Sequence, residues 1–315
     1  MNAAYQTLDS HELRARIDTA RSLLSDCRLC PRQCRVNRLD GETGFCQTGR
    51  LAAVASYNLH FGEEAPLVGR GGSGTIFFAG CNLGCLFCQN YDISHSTAGA
   101  IEAEPGQLAA VMLELQKQGA ENINFVTPSH VVPQILEALP QAIRGGLQLP
   151  LVYNSSGYDE VESLRLLDGI VDIYMPDAKF ADEAPAERYC RASDYPDKAR
   201  AAILEMHRQV GDLSLDDRGV AIQGLLVRHL VMPAGLAGSE KWFRFLGEEV
   251  SKETYLNVMG QYRPCGAAGS CPELDRCPSS SELKEAVELA GQYGLHRLDR
   301  REQKSLRDFI HFLNR

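Results

Sequence analysis

The chain has 315 residues, 44% hydrophobic and 23% charged, with a formal net charge of -9. That length suits one large α/β domain with a small appendage, and no apolar run approaches the roughly 20 residues needed to span a bilayer. The acidic balance argues against broad nucleic-acid binding, which draws on surplus Lys and Arg. The early stretch carrying His11, Glu12, Arg14, Arg16, Asp18 and Arg21 lacks the apolar centre of a secretion signal, so a cytoplasmic protein is expected. Residues 1–26 read as an amphipathic helix, with Leu13, Ile17, Ala20 and Leu24 three or four apart. A cysteine-rich knot follows, from Cys27 to about Gly49. From Gly74 onward short apolar runs alternate with helical stretches. Strands are predicted at 75–79, 122–127, 150–155, 171–177, 225–232 and 255–259. Helices are predicted near 105–118, 132–144, 159–168, 184–210 and 240–251, and two more near 281–293 and 301–313.

Strands that alternate with helices predict a parallel sheet, because parallel neighbours need a crossover. Six units are too few for a complete eight-fold barrel, so the expected fold class is α/β, a partial (β/α)6 TIM-like barrel with a small N-terminal cysteine-rich extension. The expected division is 1–70 for the helix and metal-binding extension, 71–265 for the barrel, and 266–315 for a C-terminal loop and helices packed on it. Chemistry in such sheets sits at the carboxyl ends of the strands. Cys81, Thr127, Ser129, Ser155, Ser156, Asp177 and Lys179 all fall there.

Eleven cysteines are the most informative feature, and seven fall in two tight groups. Clustered cysteines without a secretion signal point to metal or redox chemistry rather than a disulfide framework. The segment Gly80-Cys81-Asn82-Leu83-Gly84-Cys85-Leu86-Phe87-Cys88 has C-x3-C-x2-C spacing directly after an apolar strand. Thiolates are the preferred ligands of iron–sulfur clusters, and three of them leave one iron of a [4Fe–4S] cube open. An open iron can take the amino and carboxylate groups of S-adenosylmethionine (SAM). Small residues, Gly80 and Gly84, are expected to let the loop wrap the cube. A zinc knuckle is the plainer alternative, but it usually wants four ligands.

This loop, with Phe87 just before its last cysteine, resembles the signature of the radical SAM superfamily. The wider sequence resembles the PflX-type proteins, relatives of pyruvate formate-lyase activating enzyme. The matching stretches include Cys27-x-x-Cys-Pro-Arg-x-Cys-x-Val-Asn-Arg, Asn122-Ile-Asn-Phe-Val-Thr-Pro-Ser-His, Asp172-Ile-Tyr-Met-Pro-Asp-Ala-Lys and Val227-Arg-His-Leu-Val-Met-Pro. The resemblance implies a radical SAM oxidoreductase in which a 5′-deoxyadenosyl radical abstracts hydrogen from a protein or peptide. It leaves the substrate open, with a glycyl-radical enzyme among the candidates, and implies that a flavodoxin- or ferredoxin-type protein supplies the electron. Two alternatives stand beside it: radical modification of a small molecule or side chain, and an iron–sulfur or zinc regulator that never cleaves SAM.

SAM contacts are assigned to Phe87, Thr127, Ser129, Asn154, Ser156, Asp177, Lys179 and Asn257. Two of these depart from the activating-enzyme pattern. Thr127-Pro128-Ser129-His130 stands where Gly-Gly-Glu is usual, and Asn257 stands in place of a histidine. Asp177 and Lys179 keep the Asp-x-Lys pattern, and a charged pair ending a buried strand is costly without a purpose. Of Arg228 and His229 on the fifth strand, alternation sends only one inward, and His229 reads as a core histidine.

Cys27, Cys30, Cys34 and Cys46 supply four thiolates within twenty residues, which suits a second metal site holding zinc or an iron–sulfur cluster. Cys265, Cys271 and Cys277 form a looser group in a Gly- and Pro-rich loop and read as free thiols. Cys190 reads as isolated and structural.

Overall fold

A computed structural model describes residues 3–299; the helix expected near 301–313 lies outside the described residues. In chain order the elements are α1 (Ser10–Ser22), β1 (Ala52–His60), α2 (Ala65–Val68), β2 (Ser73–Phe78), α3 (Tyr91–Ser94), β3 (Ile101–Ala103) and α4 (Pro105–Lys117). Next come β4 (Ile123–Val126), α5 (Val132–Arg144), β5 (Leu151–Ser155), α6 (Val161–Arg165), β6 (Ile173–Ala178), α7 (Glu183–Cys190) and α8 (Tyr195–Val210). Then follow β7 (Ser214–Leu215), β8 (Ala221–Leu230), α9 (Ser239–Phe245), β9 (Tyr255–Met259) and α10 (Ser280–Gln292).

The sheet runs β3-β1-β2-β4-β5-β6-β8-β7, and β9 pairs with the other stretch of β8. β2, β4, β5, β6, β8 and β9 are parallel neighbours in sequence order, as six successive strand–helix units predict. β5 and β6 are buried throughout, the mark of a parallel strand covered on both faces. Three strands were not foreseen: β1 and β3 extend the β2 edge antiparallel, and the two-residue β7 pairs antiparallel with β8. β1, Ala-Ala-Val-Ala-Ser-Tyr-Asn-Leu-His, is rich in residues with weak strand preference and carries a bulge, so neither composition nor strict alternation announces it. The expected N-terminal extension therefore includes a strand of the central sheet.

The expected helix over 1–26 is shorter. The Asp9 carboxylate accepts from the amides of His11 and Glu12 and starts α1 there. The expected helix over 184–210 is two, α7 and α8, because Arg191 takes a left-handed conformation (φ 53°). The segment after β1 reaches the last parallel strand: Asn257 Nδ2 donates to Glu64 Oε1 at 2.9 Å and the Ala65 amide donates to Asp299 Oδ1 at 3.3 Å. The sheet thus curls towards closure, with this segment bridging its first and last parallel strands. Among the described residues no helix is long and apolar enough to cross a membrane.

Candidate active site

The three-cysteine loop leaves the carboxyl end of β2. Gly80 and Gly84 both hold positive φ, 79° and 65°. Both pack closely against the N-terminal knot. A Cβ at Gly80 would lie 2.1 Å from the Cys46 carbonyl oxygen, and one at Gly84 would lie 2.9 Å from the Phe45 ring. Both glycines seat the loop against the N-terminal knot. The Leu83 amide donates to Cys81 Sγ at 3.3 Å, and the Leu86 amide donates to the Tyr189 carbonyl at 3.0 Å.

Their surroundings push all three thiols above the ordinary thiol range. Burial, then the neighbouring Cys85, pushes Cys81 up to about 12. Cys85 is held well above the ordinary thiol range, first by its contact with Cys190, whose Sγ lies 3.4 Å away. Burial and then Cys85 also raise Cys88. Such thiols become ligands only when a metal displaces their protons. They fit a cluster in chemistry and number: each feels at least one of the others, and Lys179 offsets charge at Cys85 and Cys88. Cys190 is therefore not isolated. The turn at Arg191 ends α7 so that its last residue meets Cys85.

A charged cradle lies across the ends of β5, β6, β8 and β9. Asp177 receives Lys179 Nζ at 2.6 Å and Arg228 Nε at 2.7 Å. Arg228 Nη2 donates to Asn154 Oδ1 at 2.8 Å, and its Nη1 stands 3.9 Å from Glu64. Pairing register makes this row: Arg228 is opposite Asp177 on one side and Asn257 on the other. Burial alone would raise Asp177, but the flanking Arg228 and Lys179 outweigh it and hold the carboxyl below its usual range. Burial would lower Lys179; Asp177 and then Cys85 reverse this and hold the ammonium above the ordinary lysine range. The pair is thus a largely buried ion pair, not a surface one.

Glu64 is a site residue that sequence reasoning missed. Its Oε1 accepts from Asn257, while its buried Oε2 has no hydrogen-bond partner. Burial raises its pKa and Arg228 partly opposes the rise. It supplies a carboxylate to the rim that the 127–130 stretch lacks, but 193 positions from its partner Asn257 in sequence. No local motif could have announced it.

The remaining predicted residues divide. Asn154, Asp177, Lys179 and Asn257 are in the cradle. Thr127 stands at the end of β4 in a left-handed conformation (φ 61°), strained for a β-branched residue. Ser129 is buried beside Asp159 and Tyr153 rather than among the cradle ions. Ser156 accepts from the Tyr158 amide at 3.5 Å and, through its carbonyl, from Tyr195 at 3.0 Å. Phe87 is buried edge-on to Phe180, ring centres 5.7 Å apart, and packs on Tyr262. His229 bonds the Ala178 carbonyl and the Ser239 hydroxyl, both at 2.8 Å, so it is a satisfied core histidine. Cys265 lines an open cavity with Cys88, and the Ala267 amide donates to Leu86 at 2.7 Å. Cys27, Cys30, Cys34 and Cys46 together line another cavity, with Arg38 and His130. Among the described residues no three His, Cys, Asp or Glu side chains close on one point as a single bound ion requires.

No protein-family model matches the chain. The chain is 33% identical over 290 residues to the uncharacterized protein MJ0674 of Methanocaldococcus jannaschii, spanning 90% of this chain and 79% of that protein. Among solved structures it is similar to a radical SAM methyltransferase from Sphaerobacter thermophilus, with a TM-score of 0.49 and 14% identity. That likeness covers 70% of this chain and 64% of the other, under two thirds of its length.

Proposed function

The chain belongs to the family of the Methanocaldococcus jannaschii protein MJ0674, and we propose that it is a radical SAM enzyme that abstracts hydrogen from a protein or peptide, a glycyl-radical enzyme among the candidates. The observation that carries this reading is the pairing of two features at one rim. Three thiols within electrostatic reach of one another leave β2 on a single loop, and a largely buried, ion-paired row of polar side chains faces the same strand ends. Cys81, Cys85 and Cys88 would hold the [4Fe–4S] cluster. Asn154, Asp177, Lys179, Arg228, Asn257 and Glu64 would hold the polar parts of SAM. When bound, cluster and SAM together supply a 5′-deoxyadenosyl radical, the hydrogen-abstracting agent.

The chain's own residues prepare that site in three ways. Lys179 sits between Asp177 and the cysteine loop, where its charge favours thiolate over thiol at Cys85 and Cys88. Asp177 fixes the guanidinium of Arg228, which in turn fixes Asn154, so the rim is set before any ligand arrives. Phe87, wedged between Phe180 and Tyr262, excludes water from the loop's inner side. The physiological reductant is proposed to be a flavodoxin or ferredoxin.

The test is anaerobic reconstitution with iron and sulfide, addition of dithionite and SAM, and chromatography for 5′-deoxyadenosine. Product from the wild type, and none from Cys81→Ala/Cys85→Ala/Cys88→Ala, is expected. A fully loaded and reduced protein that yields no deoxyadenosine would sink the proposal and favour a regulator.

A further inference from the structure

We infer that Cys27, Cys30, Cys34 and Cys46 hold a thiolate-bound metal centre of net negative charge, and that this centre fixes the loop carrying Cys81, Cys85 and Cys88. Four thiols line one cavity, and the same wall contains Arg38, only 1% exposed. Arg38 Nε donates to the Gly49 carbonyl at 3.0 Å and Nη1 to the His130 carbonyl at 2.8 Å, with Cys27 Sγ 3.9 Å from Nη1. Its Nη2 is buried with no hydrogen-bond partner. A buried guanidinium with one end unpartnered calls for a compensating negative charge nearby. Four metal-bound thiolates would leave a net negative charge for it to face.

Donors already converge on the sulfurs. The Phe45 amide donates to Cys34 Sγ at 3.4 Å, and the Arg32 and Thr48 amides lie near the thiols of Cys30 and Cys46. Amide donors stabilise a thiolate far more than a thiol. A Cβ at Gly44 would lie 2.7 Å from Cys34 Sγ, so only glycine lets the backbone come this close. Cys46, Cys27 and Cys34 all lie within electrostatic reach of Cys30. A metal bound by all four would draw the sulfurs onto one point. Thiolate chemistry serves zinc and an iron–sulfur cluster alike.

The link to the neighbouring loop is Arg32, which lies between Cys30 and Cys34. Its Nε donates to the Asn82 carbonyl at 2.8 Å, and its Nη2 to Leu83 at 2.9 Å and to Cys190 at 2.7 Å. Its guanidinium also stacks on Phe45, 3.9 Å from the ring centre. With the Cys46 carbonyl against Gly80 and Phe45 against Gly84, the knot touches the loop at three places between Gly80 and Cys85. This coupling rests on the proposed role of the three-cysteine loop; the metal centre itself does not.

The experiment counts metal in Cys81→Ala/Cys85→Ala/Cys88→Ala, purified from cells and again after anaerobic loading with iron and sulfide. A retained centre is expected, lost when Cys27→Ser/Cys30→Ser is added. About four irons with a visible charge-transfer band identify a cluster; roughly one zinc and no colour identify the closed zinc site. A triple variant that is folded by circular dichroism yet holds neither metal overturns the proposal. Hydrogen exchange reads the coupling: in Arg32→Met, which keeps all four thiols, amides from Leu83 to Gln89 should exchange at least tenfold faster. Unchanged exchange there overturns the coupling. Failure of SAM cleavage alone leaves the metal count untouched, so the two readings fail separately.

Discussion

The two cysteine groups lie against each other but are built to different plans. The knot at Cys27–Cys46 has the Phe45 amide on one sulfur and a buried arginine that makes no ionic contact with a carboxylate among the described residues. The loop at Cys81–Cys88 has three thiols, a lysine within electrostatic reach, and a rim of ionised side chains beyond it. A four-donor set leaves a metal no open position, whereas a three-donor set leaves one. On the proposals made above, that difference would separate a supporting centre from a reacting one, although both rest on the same kind of side chain.

The largest effect that tests this contrast is at Cys85. Cys85→Ala should reduce deoxyadenosine formation to background while metal in the knot stays bound; loss of both metals together would erase the distinction. Next is Asp177→Asn, which leaves Lys179 and Arg228 without their counter-charge and should cost about 3 kcal/mol in denaturant unfolding. Asp177 is depressed in the folded protein, so its contribution is present above its ordinary value of 3.8 and is lost as pH falls below it. The variant should therefore show a flatter stability profile in acid.

A smaller change sharpens the rim. Glu64→Gln keeps the acceptor for Asn257 but removes the charge, and SAM affinity measured by calorimetry should fall roughly tenfold with little change in melting temperature. Equal affinity would place Glu64 outside the binding site. The smallest effect concerns His229, which burial lowers to about 4. Its folded value lies below its unfolded one, so stability is full above pH 6.5 and declines between 6.5 and 4. His229→Gln, followed by chemical denaturation across that range, should remove this part of the decline and leave deoxyadenosine formation nearly unchanged.

Much of the architecture was legible because parallel strands are short apolar runs separated by helices of amphipathic period. All six predicted strands overlap observed ones, from Ser73–Phe78 to Tyr255–Met259. What escaped was non-local or unannounced by composition. β1 is alanine-rich, and Glu64 acquires meaning only when the sheet curls and brings Asn257 to it. Cys190 looked isolated because the left-handed turn at Arg191 has no glycine to mark it. Asp177 and Lys179 were readable because two ionisable groups ending a buried strand demand a reason. Ser129 was less so: its hydroxyl is buried near Asp159 with no hydrogen-bond partner, a setting that no strand-end pattern announces.

Gly80 carries an evolutionary consequence. Its positive φ alone would admit an occasional Asn or Asp, but the Cys46 carbonyl, 2.1 Å from where a Cβ would stand, admits no side chain at all. Descendants that keep the knot are bound to glycine at this position, whereas a lineage that discards the knot is released to accept Asn there. One codon next to the reacting loop would then preserve a record of whether its neighbour is still present.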